Sequence, residues 1–472
     1  MLKKKKRSIL GEAFFRVLRN YLRILHNQVY YKNIHVIGRE NIPAKGTPLI
    51  IASNHQNALN DALGVEFAFK DRIVSIFTRA DAFNRPIIGT LLRSIYLLPA
   101  YRIQFDGVDA LKNNFDIFAE AGERILSGGS VLIFPEALNQ DKRWLGEFSL
   151  GYLRMAFDAV QKSNFETDIV ILPICNHYSN YFKFREDMMI VCGKPISLKP
   201  YYELFQTKPR TVQRTVNAEV RKQISEMMLN ITDLDNYEAI DYIRETYGKR
   251  YCAMCGGDPT YLPDKLQSDK ALFSELETIK QNNSELSTEI YNEASTLKKN
   301  CKRFKIADEN FDIPFRKWEF ALRVLGLVTF FPLFVCASIP NILIFLSPQP
   351  LTNKLKAGNG HMTMFVGGIR FAVGALLAFP LIYTITYILE GYFWSWLYAT
   401  IHVVLLPFLG LFAWNYRKFF INLKREWRFR IKSKRSKNER RGKGLAETIE
   451  LRKRLFEKLD NILTKNTWKK ES

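Results

Sequence analysis

Leu49-Ile-Ile-Ala-Ser-Asn-His55-Gln-Asn-Ala-Leu-Asn-Asp61 is the stretch on which the reading of this 472-residue chain turns. Its apolar opening reads as a buried strand, the Ser-Asn-His-Gln-Asn that follows as a polar turn, and the remainder as the start of a helix. A histidine at the mouth of such a turn meets substrate, and imidazole can take and return a proton near neutral pH. A carboxylate close by would hold the ring in one tautomer and stabilise the imidazolium formed during catalysis. Five residues separate His55 from Asp61. At about 3.6 residues per turn, that spacing puts the two on different faces of a regular helix. His55 is therefore expected in the turn ahead of the helix.

Outward from this stretch, residues 32–230 alternate short apolar strands with helical stretches. The clearest strands are 49–52, 73–77, 131–134 and 169–174, and the helical patterns include 108–127 and 151–162. Such alternation predicts an α/β domain whose sheet is covered by helices on both faces. Catalytic groups are then expected in loops beyond the strand ends.

The flanking segments differ in character. Residues 1–31 begin with Met-Leu-Lys-Lys-Lys-Lys-Arg, but Glu12, Arg16, Arg19 and Arg23 interrupt any apolar run. A secretory signal is not expected; an amphipathic helix is, lying in a lipid headgroup region or packed on its own domain. Residues 231–315 read as a helical connector. Cys252-Ala-Met-Cys255 falls there without a second pair or a nearby histidine, so no metal site is expected. The six cysteines are scattered, unlike a secreted disulfide scaffold.

Residues 316–416 hold three apolar stretches, roughly 320–346, 365–389 and 391–416, each long enough for the ~20 residues that cross a bilayer. Residues 417–472 form a basic tail that the positive-inside rule assigns to the cytoplasm. With both the catalytic domain and the basic tail expected on one side, an even number of crossings is required. Pro332 and Pro340 mark the first stretch as the one expected to be re-entrant or interfacial. An integral membrane protein with its catalytic domain facing the cytoplasm follows as the expectation. The formal net charge of +22 needs an anionic partner. The apolar segments favour membrane lipids over nucleic acid, and no nucleic-acid partner is expected.

Further blocks accompany the His55 stretch. Phe134-Pro135-Glu136-Ala137 follows the strand ending Val131-Leu-Ile-Phe, Arg79 and Arg102 bracket a segment ending Leu97-Leu-Pro-Ala-Tyr-Arg102, and Leu172-Pro173-Ile174 closes another strand. In order and spacing these resemble the four blocks of the glycerol-3-phosphate and 1-acylglycerol-3-phosphate acyltransferase family over roughly residues 30–230. Arg79-x3-Phe83-x2-Pro86-x2-Gly89 resembles that family's link between its first two blocks. The resemblance implies a mixed sheet covered by helices on both faces, which the helical connector and the helical membrane region would follow. It also implies transfer of a fatty acyl group from acyl-CoA or acyl carrier protein to a phosphorylated glycerol-type acceptor, without a cofactor or a metal. His55 would be the general base and Asp61 its orienting carboxylate. Arg102 would bind the acceptor phosphate through its planar fork, with Arg79, Phe134, Pro135, Glu136 and Ala137 also lining the substrate site. Backbone N–H groups near Glu136 would stabilise the oxyanion.

Two positions depart from the family pattern. The family's first block has four residues between His and Asp, and its third block has Gly where this chain has Ala137. These departures bear on the acceptor: glycerol 3-phosphate or dihydroxyacetone phosphate by the chain's length and membrane tail, 1-acylglycerol 3-phosphate, or another lyso-lipid such as an acyl-amino-acid lipid. An inactive scaffold binding anionic lipid is the competing reading from a different class.

Overall fold

The computed structural model describes residues 9–84, 86–101, 112–136, 142–312, 316–357, 365–436 and 443–463. The chain divides into two compact units. Met1–Asn230 with Gln349–Leu376 makes the first, and Ile231–Pro348 with Leu377–Ser472 the second.

Among the described residues the first unit has eight strands: β1 (Ile34–Ile37), β2 (Leu49–Ser53), β3 (Val74–Arg79), β4 (Leu97–Ala100), β5 (Ser130–Ile133), β6 (Val170–Tyr178), β7 (Met188–Cys192) and β8 (Ile196–Ser197). They lie in the order β1-β7-β6-β2-β5-β3-β4, with β8 beside β6. β2 runs parallel to both β5 and β6, while β7 and β8 run antiparallel to β6, so the sheet is mixed. The helices of this part are α1 (Ile9–Ile24), α2 (Leu59–Ala68), α3 (Pro86–Ser94), α4 (Asn113–Leu126), α5 (Gly151–Lys162), α6 (Tyr202–Thr207) and α7 (Pro209–Met227). The start of the helix expected at 108 lies outside the described residues.

Strand alternation sends neighbouring side chains to opposite faces. Ile50, Ala52, Val131 and Ile171 meet α4, α5 and α7, the last presenting Val212, Val216, Val220 and Ile224 at four-residue spacing. α2 packs on β6 and β7 from the other side. There Gly64 permits the approach, since a Cβ would overlap the Met188 thioether. The central residues Leu49, Ile50 and Ile51 are fully buried, each worth about 1.5–3 kcal/mol of burial. Helices therefore cover both faces of the mixed sheet.

α1 is tied to this unit through Arg19, and its buried Phe15 sits edge-on to Tyr96. Arg19 Nε donates to Glu66 Oε1 at 2.7 Å, and its Nη2 donates to the carbonyls of Glu66, Phe69 and Arg72 at 3.1, 2.7 and 3.1 Å. These carbonyls lie at and just past the C-terminus of α2, where some of them lack helical partners. Phe14 and Val17 of α1 stay exposed, at 57% and 69%. The helix thus packs on its own domain and also keeps an apolar stripe outward.

In the second unit α8 (Tyr237–Thr246), α9 (Gly248–Met254), α10 (Leu262–Asn282) and α11 (Ser284–Phe304) form a helical bundle. α12 (Lys317–Leu346) belongs here too. α13 (Gln349–Ala357) and α14 (Phe365–Ile369) return to the first unit, and α15 (Phe379–Phe393), α16 (Trp396–Ser436) and α17 (Lys443–Ile462) complete the second. The basic tail of the sequence reading takes a definite place within this unit. Leu455, Phe456 and Leu459 of α17 enter the core formed with Ile240, Tyr247, Ile290 and Leu297. Arg452 is held between Asp308 and Asp312.

Among the described residues three helical stretches are long and apolar enough to cross a membrane: Lys317–Leu346, Phe365–Phe393 and Trp396–Ser433, with mean hydropathies of 2.1, 2.0 and 1.8. Leu325, Val328, Ile339 and Leu343 of α12 are exposed. An apolar surface of this kind suits contact with lipid. Pro332 and Pro340 lie inside α12 without ending it, so the first stretch is one continuous helix. The irregular stretch is in the second span, where Arg370–Ala378 widens into a π-helix. Tyr383 Oη donates to Asn341 Oδ1 at 2.8 Å and Asn341 Nδ2 donates to the Ala337 carbonyl at 2.9 Å, which joins α12 to α15.

Candidate functional site

β2 ends at Ser53 and α2 begins at Leu59, leaving 54–58 as the turn. The extra residue between His55 and Asp61 is taken up there, with Ala58 at φ 44° immediately before the helix. A non-glycine residue at positive φ is uncommon and costs conformational energy, so the surroundings must hold it.

Asp61 supplies much of that hold. Its Oδ2 lies 3.0 Å from His55 Nδ1 and accepts the backbone N–H groups of Gln56 and Asn57 at 2.9 and 2.7 Å. Its Oδ1 accepts the Tyr178 hydroxyl at 2.7 Å. The carboxylate is fully buried, sits in the first turn of α2 and is surrounded by donors. Helix N-termini favour negative charge. Burial and the Asp61 carboxylate raise the Tyr178 phenol above its ordinary range, so it stays a donor.

With Nδ1 donating to Asp61, His55 carries its lone pair on Nε2. The imidazole stacks on Phe134, ring centroids 3.9 Å apart, and its side chain keeps 12% exposure. Phe134, Pro135 and Glu136 follow β5, the parallel neighbour of β2, which brings the third block beside the first. Glu136 Oε1 accepts the backbone N–H of His55 at 2.8 Å, and Oε2 accepts that of Gly146 at 3.2 Å. Burial pushes the Glu136 carboxyl up to about 7, against the pull of those two N–H groups; Asp61 adds to the rise and Arg221 opposes it. Glu136 therefore shapes the loop by gripping two backbones. The Pro135 carbonyl accepts the N–H of Ser149, which closes the 142–149 loop onto this segment.

Of the remaining sequence candidates only Arg79 lies among the described residues. Arg79, at the end of β3, forms a fork with Asp81 at 3.1 and 2.5 Å. Arg102 and Ala137 lie outside the described residues. Among the described residues no cluster of three or more His, Cys, Asp or Glu side chains is placed to hold a metal. Cys252 and Cys255 are buried.

Several site residues had no signal in the sequence. Asn54 Nδ2 donates to the Asn176 carbonyl at 3.0 Å, while the Asn176 N–H donates to Asn54 Oδ1 at 2.7 Å. This closed amide pair continues the β2–β6 ladder one step beyond Ser53. Asn176 and Tyr178, two apart on β6, reach the turn from the same strand face. Gln56 is fixed by the Lys142 carbonyl and the Tyr181 hydroxyl, both at 2.8 Å. The one hint in the sequence is the polar Asn176-His-Tyr178 that follows the apolar run 169–174.

Residues 33–177 match a family model described as Acyltransferase. This stretch matches an acyltransferase domain, and its likeness to 1-acylglycerol-3-phosphate acyltransferases supports a place among the glycerolipid acyltransferases. Its curated relatives include the chloroplastic 1-acyl-sn-glycerol-3-phosphate acyltransferases of Arabidopsis thaliana, 27% identical, and Brassica napus, 25% identical. Each match covers 35% of this chain. It spans 45% of the Arabidopsis protein and 46% of the Brassica protein, under half of either. Among solved structures, the 1-acyl-sn-glycerophosphate acyltransferase PlsC of Thermotoga maritima aligns with 48% of this chain and 84% of its own, at 15% identity and a TM-score of 0.34.

Within this stretch the first and third blocks meet at one turn. His55, Asp61, Phe134 and Glu136 are brought together by the parallel pairing of β2 with β5.

Proposed function

We propose that the protein is a membrane-bound O-acyltransferase that moves a fatty acyl group from acyl-CoA or acyl carrier protein to a hydroxyl of a phosphorylated glycerol-type acceptor. The observation that carries this reading is the His55–Asp61 pair, with Asp61 saturated by four donors and His55 clamped on Phe134. His55 Nε2 takes the proton of the acceptor hydroxyl as its oxygen attacks the thioester carbonyl. The tetrahedral adduct collapses with cleavage of the C–S bond, and the imidazolium returns the proton to the departing thiolate. Asp61 holds the tautomer and stabilises the positive ring.

The names of the relatives favour 1-acylglycerol 3-phosphate as acceptor over glycerol 3-phosphate or dihydroxyacetone phosphate, the first-step acceptors towards which chain length and membrane tail lean. Arg102 is the proposed phosphate-binding cation, and Arg79 a further substrate-binding residue. We place the catalytic unit on the cytoplasmic side together with the Lys- and Arg-rich stretch that follows the third apolar helix.

The test is transfer from radiolabelled palmitoyl thioester by membranes carrying wild-type or His55→Ala protein, with all three acceptors offered. Wild-type product and a loss of about 10²–10⁴-fold in the variant are expected, the range for a general base. No product from any acceptor with either thioester would overturn the assignment.

A further inference from the structure

The residues that open the second apolar helix are packed against the catalytic turn itself. Val366, Gly367 and Gly368 are buried within the first unit. A Cβ on Gly367 would overlap Asn57 Oδ1 and lie 2.9 Å from the Tyr181 carbonyl and 3.0 Å from Asn60 Nδ2. On Gly368 it would come within 3.1 Å of Leu59 Cβ. Tyr30 Oη donates to the Gly367 carbonyl at 3.0 Å, and Arg370 donates to the Phe182 carbonyl. One turn on, Phe371 is fully buried, edge-on to His26 and Tyr30 with centroids 5.5 and 5.6 Å away.

These contacts fall on the residues that define the base. Asn57 gives its backbone N–H to Asp61, and its side-chain Nδ2 donates to the Tyr181 carbonyl at 3.1 Å. Tyr181 in turn fixes Gln56, the other backbone donor to Asp61. The turn itself contains a residue at positive φ that needs external support. Only hydrogen at the Cα of 367 allows the helix to lie against Asn57 and Asn60 at this distance.

We infer that Gly367 and Gly368 are positioning residues of the acyl-transfer site: the first turn of a membrane-spanning helix is the brace that sets the Asn57–Asp61–His55 geometry. The catalytic turn is therefore completed by sequence more than 300 residues downstream, and the helix that enters the membrane is covalently continuous with the brace. This inference rests on the proposed function for its rate readout.

The experiment compares full-length wild type with Gly367→Ala, Gly367→Val and Gly326→Ala in detergent or native membranes. Gly326 is the control, because a Cβ there meets nothing within 4 Å. A displacement of about 1 Å at a catalytic group can cost 10²-fold. Gly367→Ala is expected to lower kcat by about 10–100-fold with KM for the thioester within threefold, and Gly367→Val by more. Gly326→Ala should match wild type. A second readout needs no substrate: the pH dependence of carbethoxylation of His55 by diethyl pyrocarbonate, read by mass spectrometry. It should shift in Gly367→Ala and not in Gly326→Ala, because the His55–Asp61 contact has changed. Unaltered kcat and an unaltered labelling profile in folded Gly367→Ala would overturn the inference. If wild type shows no turnover while labelling still shifts, the functional reading fails and the brace stands.

Discussion

Asp61→Asn isolates the charge of the buried carboxylate from its geometry. An amide oxygen at the Oδ2 position can still accept from His55 Nδ1 and from the N–H groups of Gln56 and Asn57, all now within 3.0 Å of it. The amide NH2 would face Tyr178, whose oxygen can turn to accept. The tautomer of His55 is therefore kept, and what disappears is the negative charge beside the imidazolium. Two unit charges about 4 Å apart at an effective dielectric of about 20 attract by about 4 kcal/mol. The amide dipole retains part of this, leaving a loss of about 3–4 kcal/mol in the transition state. At about 1.36 kcal/mol per tenfold, kcat should fall by about 10²–10³. KM should hardly move, since Asp61 is fully buried and does not reach substrate. The exchange of one hydrogen-bond partner costs stability of about 1 kcal/mol, which is a Tm shift of about 2–4 °C in a domain of this size. The assay is thiol release from palmitoyl thioester with acceptor present, at temperatures well below the variant's Tm. A kcat within threefold of wild type in a folded variant would refute the role given to Asp61.

Two further outcomes follow from the buried polar groups. Burial raises Glu136 to about 7 in the folded state, above the ordinary carboxyl value of the unfolded chain. Between those values the folded state binds more protons, so stability is greatest below the unfolded value and is lost as pH rises through about 7, by at most about 1.36 kcal/mol per pH unit. Glu66, also raised to about 7, acts in the same direction. The stability of wild type relative to Glu136→Gln should therefore shrink from pH 5 to pH 7.5 in thermal denaturation, and a constant difference would contradict the assignment. In the apolar helices, Tyr383→Phe removes the hydroxyl donor to Asn341 and should cost about 0.6–1.7 kcal/mol. A double-mutant cycle with Asn341→Leu should show coupling between the two positions, and strict additivity would mean that the contact carries no energy.

The comparison of sequence with structure divides along the range of the interactions involved. The strand–turn–helix of residues 49–61 was legible because each part has a local cause: a branched apolar run, a polar turn, then helical spacing. The need for His55 to precede the helix followed from helical periodicity alone, and the turn at 54–58 is where the structure has it. The apolar helices were legible in the same way, from run length. The continuity of α12 was not, because Pro332 and Pro340 lower local helix propensity and only the rest of a long helix sustains it. The inward face of α17 was masked by its many cations, although Leu455 and Leu459 sit four apart.

By itself, then, the sequence determined the mixed strand and helix pattern, the base and carboxylate on either side of one turn, and three stretches apolar enough for a membrane. Tertiary structure alone decided what surrounds Asp61. Tyr178 reaches it across 117 positions, Glu136 reaches the His55 backbone across 81, and Gly367 meets Tyr30 across 337. Those partners are chosen by strand order, β6 and β5 on either side of β2, and by a glycine pair small enough to touch the turn. Strand order is a property of how the whole sheet closes its core, and no window of sequence contains it.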